Sequence, residues 1–434
     1  MKHYIELNKY GWFIIFLFFL LLSGNALFNL PLALLCIFGI HVLLMNRTID
    51  LGQSNIRLFG IMCLCIVIPM ILSLFDAVAF NESLRKTVTF IMFYFTGVTI
   101  IISLANPRYR KYLLYSIFFL MCFWIFDAVW QSISGENILG YPYDVRAGDK
   151  GHQRLTGVFY PHARIGIILA NLSPFYFEFL RIHSHKRKWI LLLIIPLIYV
   201  VILGGSRSSY IMLLLSMILY ASYLVSIGTF TRITRNHVVI VLSIFILGGV
   251  ILSNSNKVFT EEKYQYLERR ISSVGAFLSG DMNKAADEVD GRIEIWESAL
   301  WIIRDNWING IGPRGFRYVA DEYIEKREGY IISEYADTST HPHQYVLEVL
   351  TETGIIGIIG YVIFLIILYR QVYLYFRNDQ YRYFLPWTFP ALIATMPVNM
   401  HKAFYSSYIS VFIWVTVAIV MSLEMDKTST TVKQ

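Results

Sequence analysis

YGWFIIFLFFLLLSGNALFNLPLALLCIFGIHVLLMN, residues Tyr10–Asn46, contains no Asp, Glu, Lys or Arg. A helix needs roughly 20 apolar residues to cross about 30 Å of hydrocarbon, and this run is far longer than one crossing. Asn25, Asn29 and Pro31 stand near its middle, residue types at which a chain reverses, so it reads as two membrane helices joined by a tight turn. A secretory signal would be shorter and end in small residues at a cleavage site, whereas here apolar sequence runs on into a second span. The rest of the chain has the same character. Of 434 residues, 56% are hydrophobic and 15% charged, where a soluble domain carries about a quarter charged. Uncharged stretches recur at 58–75, 87–107, 189–206, 208–231, 353–369, 383–401 and 403–423. The expectation is an all-α polytopic membrane protein. About twelve spans are expected, near 11–27, 30–46, 58–76, 87–106, 112–133, 159–180, 189–205, 208–229, 237–254, 344–369, 383–398 and 403–424.

Basic residues gather in alternate short loops: Arg47 and Arg57; Arg108, Arg110 and Lys111; Arg181, Lys186, Arg187 and Lys188; Arg232 and Arg235; Arg370, Arg377 and Arg382. Lys2, Lys9, Lys427 and Lys433 add to both ends. By the positive-inside rule these segments and both termini are cytoplasmic, and the intervening loops face outward. The net charge of +7 then reports orientation and attraction to anionic lipid, and is not read as nucleic-acid binding. Cys36, Cys63, Cys65 and Cys122 all fall in apolar spans, as buried small hydrophobes and neither disulfide partners nor metal ligands. No internal repeat is evident. The expected organisation is nine spans over 1–254, a large outer loop over 255–343, and three spans with a cytoplasmic tail over 344–434.

Two outer loops are long, and long loops are commonly functional. The first, about 134–160, ends in Arg154-Leu155-Thr156-Gly157. The second carries more acids than bases and an amphipathic stretch, Arg292–Trp307, with Ile293, Trp296, Leu300 and Ile303 expected on its apolar face. It closes with Thr340-His341-Pro342-His343-Gln344 immediately before the tenth span, and Leu347, Leu350 and Gly354 continue one helix face from His343. An imidazole, with a reference pKa near 6.5, suits removal of a proton from a sugar hydroxyl near neutral pH. A helix N-terminus also favours phosphate. The alternative is that both histidines merely cap the helix. Arg207 lies between small residues at the turn between the seventh and eighth spans. Arg164 is expected about five residues inside the sixth span, a costly depth unless it meets protein, water or a counter-ion. Pairing with Asp127, or snorkelling, is its structural alternative. Arg154 and Arg146 in the small loop, and Arg292 and Arg314 in the large one, could extend a basic patch or be ordinary loop charges. Guanidinium forks match a diphosphate and would neutralise that leaving group without a metal. The competing metal reading rests on Asp287, Glu288 and Asp290, which otherwise form a solvated turn. No Gly-rich phosphate loop, zincin motif or nucleophile elbow is present.

The run His343-Gln344-Tyr345-Val346-Leu347-Glu348-Val349-Leu350-Thr351-Glu352-Thr353-Gly354-Ile355-Ile356-Gly357, after a large outer loop and some nine spans, resembles the hallmark of the O-antigen ligase and polymerase superfamily. Arg154-Leu155-Thr156-Gly157 with Phe159 and Pro161, and the Ser206-Arg207 turn, resemble two further motifs of it in the right order. The resemblance implies a GT-C-like glycosyltransferase of the bacterial inner membrane, needing no metal or cofactor. Such an enzyme takes polysaccharide from undecaprenyl diphosphate on the periplasmic face. In ligases it passes the chain, with inversion, to a sugar of the lipid A core oligosaccharide. The resemblance further implies His343 as general base or acceptor-orienting residue, with His341 a second candidate, Arg207 as diphosphate contact, and Arg292 as a matching arginine. Gln344 departs from the Asn or Ser common after the histidine. The expected partners are the lipid-linked polysaccharide, the lipid A core and membrane lipids. A ligase is the first expectation and a polymerase of the same superfamily the alternative. A transporter fits less, because the candidate charges crowd the outer surface and the helix centres are bare. From the residues alone, Gly354 and Gly357 read as helix-packing positions and Glu352 as a hydrogen-bonding pin for the neighbouring loop.

Overall fold

A computed structural model of the chain describes residues 2–24, 26–45, 54–142, 154–162, 164–184, 187–228, 292–325, 340–396 and 403–423. Among them regular structure is helical, with no strand beyond an isolated bridge between Glu136 and Pro142. Six helical stretches are long and apolar enough to cross a membrane: Asn55–Asp76, Phe80–Leu104, Pro107–Ser134, Ile165–Ser184, Ser208–Ser226 and Tyr345–Arg377. Four more apolar helices, Tyr10–Ser23, Asn29–Met45, Lys188–Leu203 and Tyr408–Met421, are shorter. The chain is thus a polytopic membrane protein by composition and helix length. The expected ninth span, 237–254, lies outside the described residues, as do Arg146 and the acidic run 287–290.

Two compact units are formed. The first comprises Met1–Ser116 with Gly291–Gln434. It contains α1 (Lys2–Leu20), α2 (Asn29–Met45), α3 (Ser54–Leu72), α4 (Phe80–Leu104) and the beginning of α5 (Pro107–Ser134). After α6, α7 and α8 of the second unit, it resumes with α9 (Arg292–Asp305), α10 (Phe316–Glu325), α11 (Tyr345–Arg377), α12 (Leu385–Ala394) and α13 (Ser407–Met421). Helix α4 is its hub, packed against α1, α2, α3 and α13. Small residues allow the close approach that association without a hydrophobic drive requires. A Cβ on Gly39 of α2 would stand 2.0 Å from the Phe95 carbonyl oxygen of α4, and one on Gly360 of α11 would stand 1.9 Å from the Cys65 oxygen of α3. Thr99 Oγ1 donates to the Leu35 oxygen (2.7 Å), adding a polar tie between α4 and α2.

On this bundle sits a cap made of α9, α10 and the segments beside them. Its core is Ile295, Ala299, Ile302, Ile311, Phe316, Val319 and Ala320, with Trp296, Tyr323 and Leu347 packed against it. The buried stripe of α9 is therefore Ile295–Ala299–Ile302, one position round from the expected Ile293–Trp296–Leu300–Ile303 face. Leu300 is exposed. The α9 sequence carries two adjacent apolar stripes, and the docking partners α10 and α11 select between them.

The second unit, Ile117–Asp290, contains the rest of α5 with α6 (Ile165–Ser184), α7 (Ile194–Leu203) and α8 (Arg207–Ser226). Helices α6 and α8 are joined by Ser173 and Ser216 hydroxyls 2.6 Å apart and by Tyr220, whose hydroxyl donates to Glu178 (2.9 Å). Helix α6 begins later than expected, at Ile165 and not 159. Gly157 adopts φ +50° in a short 3₁₀ turn over Gly157–Phe159, and Tyr160–His162 and Arg164 are not helical.

Candidate active site

The loop from Asn306 to Gly315 is built around a break in α11. At Gly354 the backbone leaves helical geometry (φ 63°, ψ −161°). That diverts the helix's own ladder: Ile355 N–H donates to the Trp307 oxygen (2.8 Å) and not back along the helix. The freed carbonyls of Thr351 and Glu352 accept instead from Ile311 N–H (3.0 Å) and Gly312 N–H (2.9 Å). Three of the backbone groups at the break thus find partners in the loop, as a low-dielectric interior favours. Gly354 is consequently not the helix-packing residue expected. It is where a loop presses onto a helix, since a Cβ there would lie 2.1 Å from the Ile308 oxygen. Glu352 is the pin expected, its Oε2 accepting from Arg314 N–H at 2.5 Å. The sequence reading missed the loop itself. Its signal was Gly310, Gly312 and Gly315 closely spaced around Pro313, a density that marks tight backbone approach.

One turn nearer the cap, Glu348 is fully buried and holds two backbone donors. Its Oε2 accepts from Phe404 N–H (2.7 Å) and its Oε1 from Tyr405 N–H (3.0 Å), which fixes the segment leading into α13.

These anchors position the histidines. Gln344 is the N-cap of α11, its Oε1 accepting from Leu347 N–H (2.6 Å). An amide oxygen therefore performs the task that Asn or Ser would perform there, and capping is not what occupies the histidines. His343, one residue ahead, holds φ +58°, a left-handed conformation uncommon for any residue but glycine and worth attention when it occurs. Its ring lies 4.0 Å, centroid to centroid, from that of His341. His341 is 8% exposed, with Nδ1 3.0 Å from Thr340 Oγ1, whereas His343 is only partly buried. Between them the Pro342 oxygen accepts from Trp296 Nε1–H of α9 (3.0 Å), tying the pair to the cap. Of the two imidazoles His343 is the more exposed and His341 its buried neighbour. Arg314 is likewise left-handed, at φ +67°, with Nη1 buried and without a hydrogen-bond partner among the described residues. Arg292 is the first residue of α9.

The second unit holds the other expected arginines. Arg154 precedes a turn gripped from within. Gln131 Oε1 accepts from Thr156 N–H (3.0 Å) and Gly157 N–H (2.9 Å). Its Nε2 donates to the oxygens of Tyr141 (3.2 Å) and Pro142 (3.1 Å) and to Thr156 Oγ1 (3.1 Å). Asn137 Nδ2 donates to the Gly157 oxygen (2.8 Å). Neither Gln131 nor Asn137 was legible as functional framework, for each reaches across some twenty residues or more of intervening chain. Arg164 corrects an expectation. It does not lie inside a span but immediately ahead of α6, where its carbonyl accepts from Ile168 N–H (3.1 Å). Asp127, considered as its counter-ion, is buried and accepts from Ile138 N–H (2.9 Å). Arg207 opens α8 after Ser206, with Gly205 at φ +65° making the turn.

A family model described as O-Antigen ligase matches residues 190–362. That stretch includes Arg207, Arg292, Arg314, both histidines and the Gly354 break, while Arg154 and Arg164 lie ahead of it. No curated protein matches the chain.

Proposed function

We propose, from the match of residues 190–362 to a family model described as O-Antigen ligase, that the protein is an inverting, metal-independent glycosyltransferase of the bacterial inner membrane. Its donor is polysaccharide linked to undecaprenyl diphosphate, and its acceptor is a sugar hydroxyl of the lipid A core, joined on the periplasmic face. His343 takes the proton of the acceptor hydroxyl. That oxygen then forms a bond to the anomeric carbon, from the face opposite the leaving group, as the bond to the diphosphate oxygen breaks. Undecaprenyl diphosphate departs with the bonding electrons, its charge met by guanidinium forks. Arg314 and Arg292 are the candidates on the first unit. Arg207, with Arg164 and Arg154, are those on the second, on the strength of residue type and motif.

The observation that carries this reading is the held, left-handed conformation of His343 at the head of α11, beside a buried histidine and ahead of a helix break braced by the loop 306–315. Strain of that kind, about 1–3 kcal/mol per residue, persists where the surroundings enforce it, and it gathers at functional sites. His343→Ala is expected to reduce transfer by about 10²–10⁴-fold, the usual worth of a general base, with unchanged membrane insertion and melting temperature. Full retained transfer would remove it from the mechanism. In cells lacking the chain, long polymer stranded on undecaprenyl diphosphate over bare lipid A core identifies a ligase. Lipid A core bearing a single repeat would instead identify a polymerase, and unaltered surface polysaccharide would overturn both.

A further inference from the structure

The cap leaves apolar surface uncovered. Helix α9 buries its Ile295–Ala299–Ile302 stripe, but Leu300 and Trp301 beside that stripe are exposed, and so are Trp307 and Ile308 just past the helix end. Trp307 is the most open of the four, at 57%. Large apolar side chains gathered outside a folded core mark an interaction surface.

What this surface meets follows from its height on the bundle. Asn309 Nδ2 donates to Asp76 Oδ2 (2.7 Å), and Val78 N–H donates to the Ile311 oxygen (3.0 Å). Asp76 is the first charge after the uncharged run 58–75, and it closes the apolar stretch Asn55–Asp76, so it stands where that span leaves hydrocarbon. On its other side the loop is tied to α11, where Ile355 N–H donates to the Trp307 oxygen (2.8 Å). Ile355 lies at the beginning of the uncharged run 353–369. Two different spans therefore set Trp307 and Ile308 at one membrane boundary. Their neighbours on those spans point to lipid: Phe75 is 85% exposed, and Ile355 and Ile359 are exposed as well. Trp301 is four residues from the end of α9 at Asp305. At about 1.5 Å of rise per residue it is at most about 6 Å further out, within a head-group layer of about 5–8 Å per leaflet. Arg304 and Asp305, exposed beside the patch, are of opposite sign, so no net charge holds it away from the bilayer.

We propose that Trp307, Ile308 and the Leu300–Trp301 edge of α9 form a foot by which the cap rests in the head-group layer of the bilayer. An indole suits that layer, because its body is apolar and its N–H remains wet. The foot rests only on the chain being a polytopic membrane protein, and not on the proposed sugar transfer.

The test uses the full chain in lipid nanodiscs. Tryptophan emission of the wild type minus that of Trp307→Phe isolates Trp307. Trp307→Tyr should give the same difference, since a side chain this exposed is not needed for packing. With phospholipids brominated on the upper part of the acyl chain, most of that difference is expected to be lost, because bromine quenches only near contact. Undiminished emission in brominated lipid overturns the foot. Iodide in the aqueous phase then tells what lies over Trp307: quenching means open water, and protection means protein, a second copy of this chain included. A protein that transfers no sugar yet shows the bromine quenching keeps the foot and sinks only the reaction.

Discussion

Gln131 in the second unit and Glu348 in the first do the same job with different chemistry. Each is a fully buried side chain on a helix that holds the backbone of a distant segment. Gln131 meets two donors and three acceptors, Thr156 and Gly157 N–H on one side, and two carbonyls and a hydroxyl on the other. Glu348 accepts from two backbone N–H donors. An amide offers an acceptor and two donors, an ionised carboxylate only acceptors, so each residue type matches the hydrogen-bond complement of its surroundings. The lesson is that burial alone does not decide between Gln and Glu. The polarity of the groups to be held does, and a carboxyl group suits a site where the backbone groups it holds are donors.

That comparison is most severely tried by Gln131→Glu. A carboxylate there would turn an oxygen onto three acceptors, and the cost of an uncompensated buried charge is about 3–5 kcal/mol. The expected result is a large fall in melting temperature in detergent, or loss of folded protein. A small fall would mean that shape, and not donor–acceptor matching, selects the residue. Gly354→Ala comes next. It would place a Cβ 2.1 Å from the Ile308 oxygen at a φ that side chains rarely adopt, and about 3 kcal/mol is expected to be lost. Increased proteolysis within residues 306–315 would locate the damage in the loop. Glu348→Gln should be milder than its mirror image, since the amide keeps one acceptor and leaves one N–H of Phe404 or Tyr405 unmet. The loss expected is about 1–3 kcal/mol, and equality with Gln131→Glu would break the comparison outright. The smallest effect is expected of Trp296→Phe, which retains the cap's packing and deletes one hydrogen bond, to Pro342. About 1 kcal/mol of stability should go. Because that bond orients the histidine pair, kcat should fall while KM for either substrate holds.

What could be seen in the sequence, and what could not, divides by distance along the chain. Helices α1 to α8 and α11 follow from the long, predominantly apolar runs at their centres, because hydrocarbon demands internally satisfied backbone of a set length. His343 ahead of a span, and Glu352 as a pin for the neighbouring loop, were legible because both belong to one contiguous motif. Gln131 was not, for nothing local distinguishes it from another polar residue on an apolar helix; the N–H groups it holds lie 25 and 26 residues away. Arg164 was misplaced for a related reason. Hydropathy starts the span at Phe159 without registering that the chain turns over Gly157–Phe159 and becomes α-helical only at Ile165. The buried stripe of α9 was misjudged by one position because two apolar stripes lie side by side, and only the partner chooses between them.

The break at Gly354 also has a mechanical meaning. A continuous helix transmits rotation and axial thrust along its whole length, because each residue's ladder bond ties it to the next turn. Here the ladder is handed over to residues 307–312, so the opening turns of α11 are joined to the cap as firmly as to the remainder of the helix. Tilting or turning of the long shaft within a lipid bilayer of changing thickness is thereby isolated from His343, which keeps its bearing relative to the cap.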